Sequence, residues 1–261
     1  MRTLDFTGIP PSKVRRMRKV EGGVMSYDRE QATREFSRWS AGYDRSILQW
    51  LLFGPAHQAI IGRLRARCGD RPISILDVGC GTGVFGARIA AEIPRATIWG
   101  LDLVAGMLGG GRERWRALGD RAAPVQGDSE RLPFADEAFD VVTCANSFHH
   151  YPHQDRAVAE MRRVLKPGGR LFLLDGCRDG LWGWFIYDVC VAGVEGDVRH
   201  VSARDVRKLL QCAGFAQLSQ QVYRGPAPFL LTEAVTTHGA RVATRPWSGI
   251  TVPLRTGAMS Q

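Results

Sequence analysis

The spacing of hydrophobic positions changes along the chain, and each change marks an element. From Gln31 to Leu64 the apolar residues recur at helical spacing. Phe36, Trp39 and Tyr43 fall at i, i+3 and i+7, and Ile47, Leu51 and Ile60 extend the face in two pieces broken at Gly54-Pro55. At Ile73 the pattern shortens: four apolar residues interleaved with Ser74 and Asp77 read as a buried strand, which turns through Gly79, Gly81 and Gly83 into a helix. Strands at 97–101, 123–126, 139–144 and 170–175 then alternate with helices at 105–118 and 155–165. The second of these helices carries Ala157, Val158, Met161 and Val164 on one face and is stopped by Lys166-Pro167-Gly168-Gly169. This βαβ rhythm predicts an α/β fold, a parallel sheet with helices on both faces. Ser202 to Asp205 reads as a capping box opening a helix that ends at Gly214. The last two strands, 215–223 and 229–236, are separated by the Gly225-Pro226 turn and no helix, so they should pair antiparallel.

With 261 residues and 44% hydrophobic content, the chain can bury one full α/β core, expected over 25–240. Charge sharpens those limits. Residues 1–24 carry +4 and residues 241–261 carry +3 of the net +9, leaving +2 for everything between. The basic excess therefore belongs to a leader and a tail, both expected to be solvated and disordered, and a nucleic-acid groove is not indicated. Six cysteines without a C-x-x-C pair signal neither a metal site nor a disulfide framework, and reduced thiols fit a cytoplasmic protein. No apolar run reaches the ~18 residues of a membrane span.

The chemistry concentrates at the glycine turn. Glycine suits a turn where the backbone takes positive φ and approaches a ligand, with the first N–H groups of the following helix free to face it. Two ligand classes compete for it. Gly79-Cys80-Gly81-Thr82-Gly83 is the G-x-G-x-G turn of S-adenosylmethionine (SAM) binding, while Gly81 to Gly86 satisfies the G-x-G-x-x-G dinucleotide fingerprint of an NAD-dependent oxidoreductase. Both place an acidic residue at the end of the next strand for ribose hydroxyls, and Asp102 supplies it.

The order ILDVGCGTG, LDLVAGML, VQGDSERLPFADEAFDVV, EMRRVLKPGGRLFLLD, and a helix ending in AGF before a hairpin strongly resembles class I SAM-dependent methyltransferases. It is most similar to the ubiquinone and menaquinone biosynthesis branch. The resemblance spans roughly Phe36 to Thr236. It implies a Rossmann-like, seven-stranded, mostly parallel sheet whose last strand is antiparallel. Within it, 25–70 would be a helical lid, 73–175 the SAM-binding core, 176–201 an acceptor-side lid and 202–238 a helix with the terminal hairpin. By resemblance, Gly79, Cys80 and Gly81 pass under the methionine and ribose, with Asp77 orienting the loop and the ammonium end. Asp102 takes the ribose hydroxyls, Leu103 and Met107 line the adenine, and Asp128 beside Ser129 accepts from the adenine amino group. Tyr43 from the lid and Asn146 after the fourth strand complete the expected cofactor set.

His149 and His150, in Asn146-Ser-Phe-His-His-Tyr151, lie where a chain leaving the fourth strand passes the methyl group. An imidazole there can act as a general base, or cap the strand and pack beneath the lid. The absence of Asn-Pro-Pro-Tyr at this place argues against methylation of amide or adenine nitrogens. The aromatics Trp182, Trp184, Phe185 and Tyr187, followed by Glu195, Asp197 and His200, would either pack as a lid or wall a pocket for a small, apolar or aromatic methyl acceptor. O- and C-methylation stay equally open. The basic leader could bring such a protein to a membrane surface.

Overall fold

The computed structural model describes residues 47–191 and 198–237. The leader, the tail, the lid residues Phe36, Trp39 and Tyr43, and Glu195 and Asp197 lie outside the described residues. Seven strands form one sheet: β1 (Ile73–Val78), β2 (Ala96–Asp102), β3 (Ala122–Gln126), β4 (Phe139–Ala145), β5 (Leu165–Gly176), β6 (Phe215–Tyr223) and β7 (Phe229–Thr236). Their order is β3-β2-β1-β4-β5-β7-β6. β1 to β5 pair in parallel, and β7 lies antiparallel to both β5 and β6. The chain winds outward from β1 to β3, then crosses back to place β4 on the other side of β1. That reversal puts the topological switch point between the carboxyl ends of β1 and β4, where an open α/β sheet leaves a crevice.

Alternate residues of the central strands supply two cores, one on each face. Ile75, Val141, Phe172 and Leu231 meet helix α1 (Ile47–Cys68) and helix α2 (Val84–Glu92). Leu76, Val142, Leu171 and Leu173 meet α5 (Gln154–Val164) and α7 (Ala203–Cys212). Between them come α3 (Ala105–Gly110), α4 (Arg112–Leu118) and the short α6 (Gly180–Trp184). Each fully buried side chain such as Phe172 contributes about 1.5–3 kcal/mol, and tertiary packing and pairing override local signals at three places.

The first is the break expected at Gly54-Pro55, which does not occur: α1 runs through Pro55 to Cys68. Ala56, Ile60, Ile61 and Leu64 form one buried stripe on the sheet. Packing of that stripe outweighs the roughly 3 kcal/mol that an interior proline costs. The second is the helix expected over 105–118, which is cut at Gly111. A Cβ there would overlap the carbonyl oxygen of Thr82, so the chain passes the glycine loop only as glycine. The third is β5, which begins at Leu165 instead of Arg170. Its pairing with β4 jumps from Phe139↔Leu165 to Val141↔Arg170, absorbing the Lys166 to Gly169 turn as an irregularity.

Candidate functional site

The β1–α2 turn is held by its own chain. Gly79 and Cys80 donate their N–H groups to the Leu101 carbonyl (2.8 and 3.0 Å), Gly83 donates to the Cys80 carbonyl (2.9 Å), and Gly81 donates to Asp102 Oδ2 (2.8 Å). These four loop amides are therefore used internally. The glycines serve close packing at positive φ. A Cβ on Gly79 (φ 71°) would overlap Ser147 Oγ, and one on Gly83 (φ 78°) would overlap the Trp115 ring. Cys80 turns its thiol into a small cluster with Leu108 and Trp115, and burial raises its pKa well above the usual thiol value. Met107, also buried, lies with its Cε 3.2 Å from the position of a Cβ on Gly81, while Leu103 is exposed beside it.

Two carboxylates stand at the ends of adjacent strands. Asp102 accepts from Gly81 at one oxygen and from the Val104 N–H (2.9 Å) at the other. Each oxygen keeps a further acceptor site, the capacity that two ribose hydroxyls require. Asp77 is almost wholly enclosed, and Thr143 Oγ1 donates to it (2.7 Å). Burial pushes its pKa up to about 7, against the Thr143 bond and with help from the Asp102 charge. A cation would relieve that cost. Across the switch point, Asn146 holds a left-handed backbone (φ 57°) and its buried Oδ1 has no hydrogen-bond partner among the described residues. An orphaned buried acceptor, a carboxylate whose burial a cation would relieve and one with acceptor capacity to spare are the kinds of group that the zwitterionic methionine end and ribose of SAM require. Asp128 makes a side-chain turn, accepting from the Glu130 N–H (2.9 Å), with exposed Arg131 paired across it and Ser129 buried next to it. The turn accounts for its conformation whether or not it also serves adenine.

Beyond β4, a 3-10 turn at Phe148–His150 carries the two candidate histidines. His149 is buried, its Nδ1 2.6 Å from Asp175 Oδ1, and its own N–H donates to Asp175 Oδ2 (2.9 Å). An ionised carboxylate only accepts, so the proton sits on Nδ1 and Nε2 is the basic nitrogen. Burial alone would raise the Asp175 pKa. The His149 charge and hydrogen bond, with the His200 charge behind them, hold it below the usual carboxylate range. His150 is half-buried, its ring 4.0 Å from His149, and shares none of these bonds to Asp175.

The acceptor-side aromatics divide. Tyr187 is buried against His200 and Phe229, whereas Trp182, Trp184 and Phe185 are half exposed and Leu181 is 89% exposed. A wall of four inward rings is therefore not formed, and only Tyr187 turns toward the histidines. Sequence reasoning passed over Asp175, Ser147 and Tyr151. Asp175 carried a signal, an acidic residue closing a strand as Asp77 and Asp102 close theirs. Ser147 and Tyr151, which bond each other (3.0 Å) over Gly79, carried none.

Residues 75–169 match the family model described as a methyltransferase domain. A ubiquinone/menaquinone biosynthesis C-methyltransferase of Paraburkholderia phytofirmans is 34% identical over 165 residues, covering 61% of this chain and 67% of that protein. Among solved structures, the 1,6-didemethyltoxoflavin-N1-methyltransferase of Burkholderia thailandensis, with S-adenosylhomocysteine bound, superposes with a TM-score of 0.62. It is 19% identical, and the match covers 84% of this chain and 93% of that one. The [4+2]-cyclase SpnF superposes with a TM-score of 0.57 at 21% identity, covering 69% and 80%. Those two likenesses concern the fold alone.

Proposed function

Because the chain belongs to the class I SAM-dependent methyltransferase family, we propose that it methylates an oxygen or carbon of a small apolar or aromatic metabolite, with His149 as the base. SAM supplies an already electrophilic methyl group, so the protein has to bind, aim and exclude water. Asp102 would hold the ribose, Asp77 and Asn146 the methionine end, Met107 and Leu103 the adenine, with Asp128 and Ser129 at its rim. His149 Nε2 would take the acceptor's proton as the acceptor atom becomes nucleophilic. Asp175 keeps the ring in the right tautomer and stabilises the imidazolium.

The observation that supports this reading most is the His149–Asp175 pair, placed after β4 beside the β1 turn. The bond from Nδ1 to Asp175 leaves Nε2 as the basic nitrogen, which is what a general base needs. The relative's C-methyltransferase name favours a quinone-like or phenolic ring as acceptor, and the exposed Leu181 and Trp184 beside this edge suit a greasy molecule. No described helix is long and apolar enough to cross a membrane. The described cysteines are free thiols, which suits the cytoplasm. The NAD-dependent alternative finds no support, because the family is that of methyltransferases.

The test incubates the protein with methyl-labelled SAM and a panel of hydroquinone, phenolic and polar acceptors. Label should enter the ring compounds, and His149→Gln should slow transfer about 10²–10⁴-fold while SAM affinity holds. Label in polar acceptors alone would refute the acceptor class. An unaltered rate in His149→Gln would refute the base. SAM binding without turnover on any acceptor would instead leave a binding module or a non-transferring enzyme.

A further inference from the structure

The end of β5 brings together two histidines separated by about fifty positions in the chain. His200 stacks on His149 with ring centroids 4.5 Å apart and planes 15° apart, and its other face meets Tyr187 at 4.4 Å. Gly176 makes room for both, since a Cβ there would come within 2.5 Å of Tyr187 Cε1 and 2.7 Å of His200 Cδ2. One ring nitrogen of each histidine and an Asp175 oxygen lie within 4.8 Å of one another, and all three residues are buried. The backbones are joined as well. Arg199 N–H donates to the His149 carbonyl (2.8 Å), and the Gln154 amide donates to both the Phe148 and Arg199 carbonyls (3.1 and 2.9 Å).

Such a trio could hold a metal ion or a proton, and the geometry separates the two. Imidazole ligates through a lone pair in its own plane, and two stacked, nearly parallel rings do not aim such pairs at one ion. The Asp175 oxygens already accept from His149 Nδ1, His149 N–H and the Gly176 N–H (2.7 Å). We propose that His200 is a positioning residue for His149: the two rings share the Asp175 carboxylate and compete for one proton, and the segment bearing His200 must be docked for the base to form. This rests on the reading of His149 as the base. Around the pair stand His150 on the same turn, Tyr187, Arg199, and Arg178, which reaches the His200 carbonyl (3.4 Å). Cys144 feels the Asp175 charge from behind.

The experiment titrates the full chain with ¹³C-labelled histidine by NMR, and six histidines make assignment by substitution practical. The parent should show His149 and His200 protonating in two separated steps that belong to the pair. In His200→Phe, which keeps the stack and removes the nitrogens, and in His149→Phe, the remaining ring should titrate once. Its midpoint should lie about one unit or more above the lower step of the parent. His200→Gln serves as the second variant and should behave like His200→Phe. Midpoints that stay where each ring has them in the parent would overturn the proposal and leave the base reading standing. Coupled titration together with full methyl transfer in His149→Gln would overturn the base, and with it the role given to His200.

Discussion

At the scale of single residues, the site is set by carboxylates that differ in what surrounds them. Asp77 and Asp102 end neighbouring strands, yet Asp102 accepts two backbone N–H groups while enclosed Asp77 has a single hydroxyl as its named donor. With its folded pKa pushed up to about 7 from an unfolded value near 4, Asp77 binds a proton in the folded state that the unfolded chain has released. Its contribution to stability is thus present at pH 4 and lost as the pH rises through about 7. The ligand-free protein should become less stable across that window. Asp77→Asn should flatten the slope, as read from melting curves at pH 5 and pH 8. If the ammonium of SAM pairs with Asp77, binding near pH 6 should also release a proton. Calorimetry in buffers of different ionisation heat would detect it, and binding without proton release would remove Asp77 from the ammonium site. For Asp102, replacement by alanine should weaken SAM by about 1.5–3 kcal/mol, the scale of a hydrogen bond to a charged group. A folded Asp102→Ala protein that binds SAM normally would refute the ribose assignment.

At the scale of elements, the chain's period announced most of what formed. β6 and β7 begin and end where the alternation places them, and the missing helix between them foretold their antiparallel pairing. The Ser202 box is also as written: Ser202 Oγ accepts from the Asp205 N–H (3.1 Å) and donates to its carboxylate (2.7 Å). Ser202→Ala should therefore cost about 1 kcal/mol in urea unfolding, and a loss within error would mean that α7 is held by its buried face alone. Pro55 and the Lys166 to Gly169 turn misled because a local breaker is a weak preference, overruled once a buried stripe or a neighbouring strand fixes the backbone. The cofactor side of the site was legible for a related reason. Asp77, Gly79, Gly81 and Asp102 lie within two adjoining strand ends, close in sequence and tied to a turn that only glycine makes. The His149, Asp175 and His200 trio was not legible as a unit. Its members belong to three separate segments and meet through the crossover that sets β5 beside β4.

At the scale of the whole molecule, the strand order decides which surfaces work together. The reversal between β1 and β4 opens the crevice, the glycine turn and Asp102 occupy one side of it, and the Asn146 to Tyr151 turn with Asp175 occupies the other. α6 follows β5 closely, so its outward Leu181, Trp182 and Trp184 stand near the carboxyl end of that strand, where the acceptor is proposed to enter. Side chains so exposed add little to the core, so the double variant Leu181→Ser, Trp184→Ser should melt within about 1–2 °C of the parent, as surface changes do. The same variant should raise KM for a long-tailed apolar acceptor by about 3–10-fold, the effect of losing roughly 1 kcal/mol of apolar contact. It should leave kcat and SAM affinity alone, since both residues are exposed whereas Asp77 and His149 are buried. A short, tail-less analogue should then be methylated equally well by both proteins. A lowered melting temperature would show that the patch is packing, and an unchanged KM for the tailed acceptor would show that the acceptor enters without it.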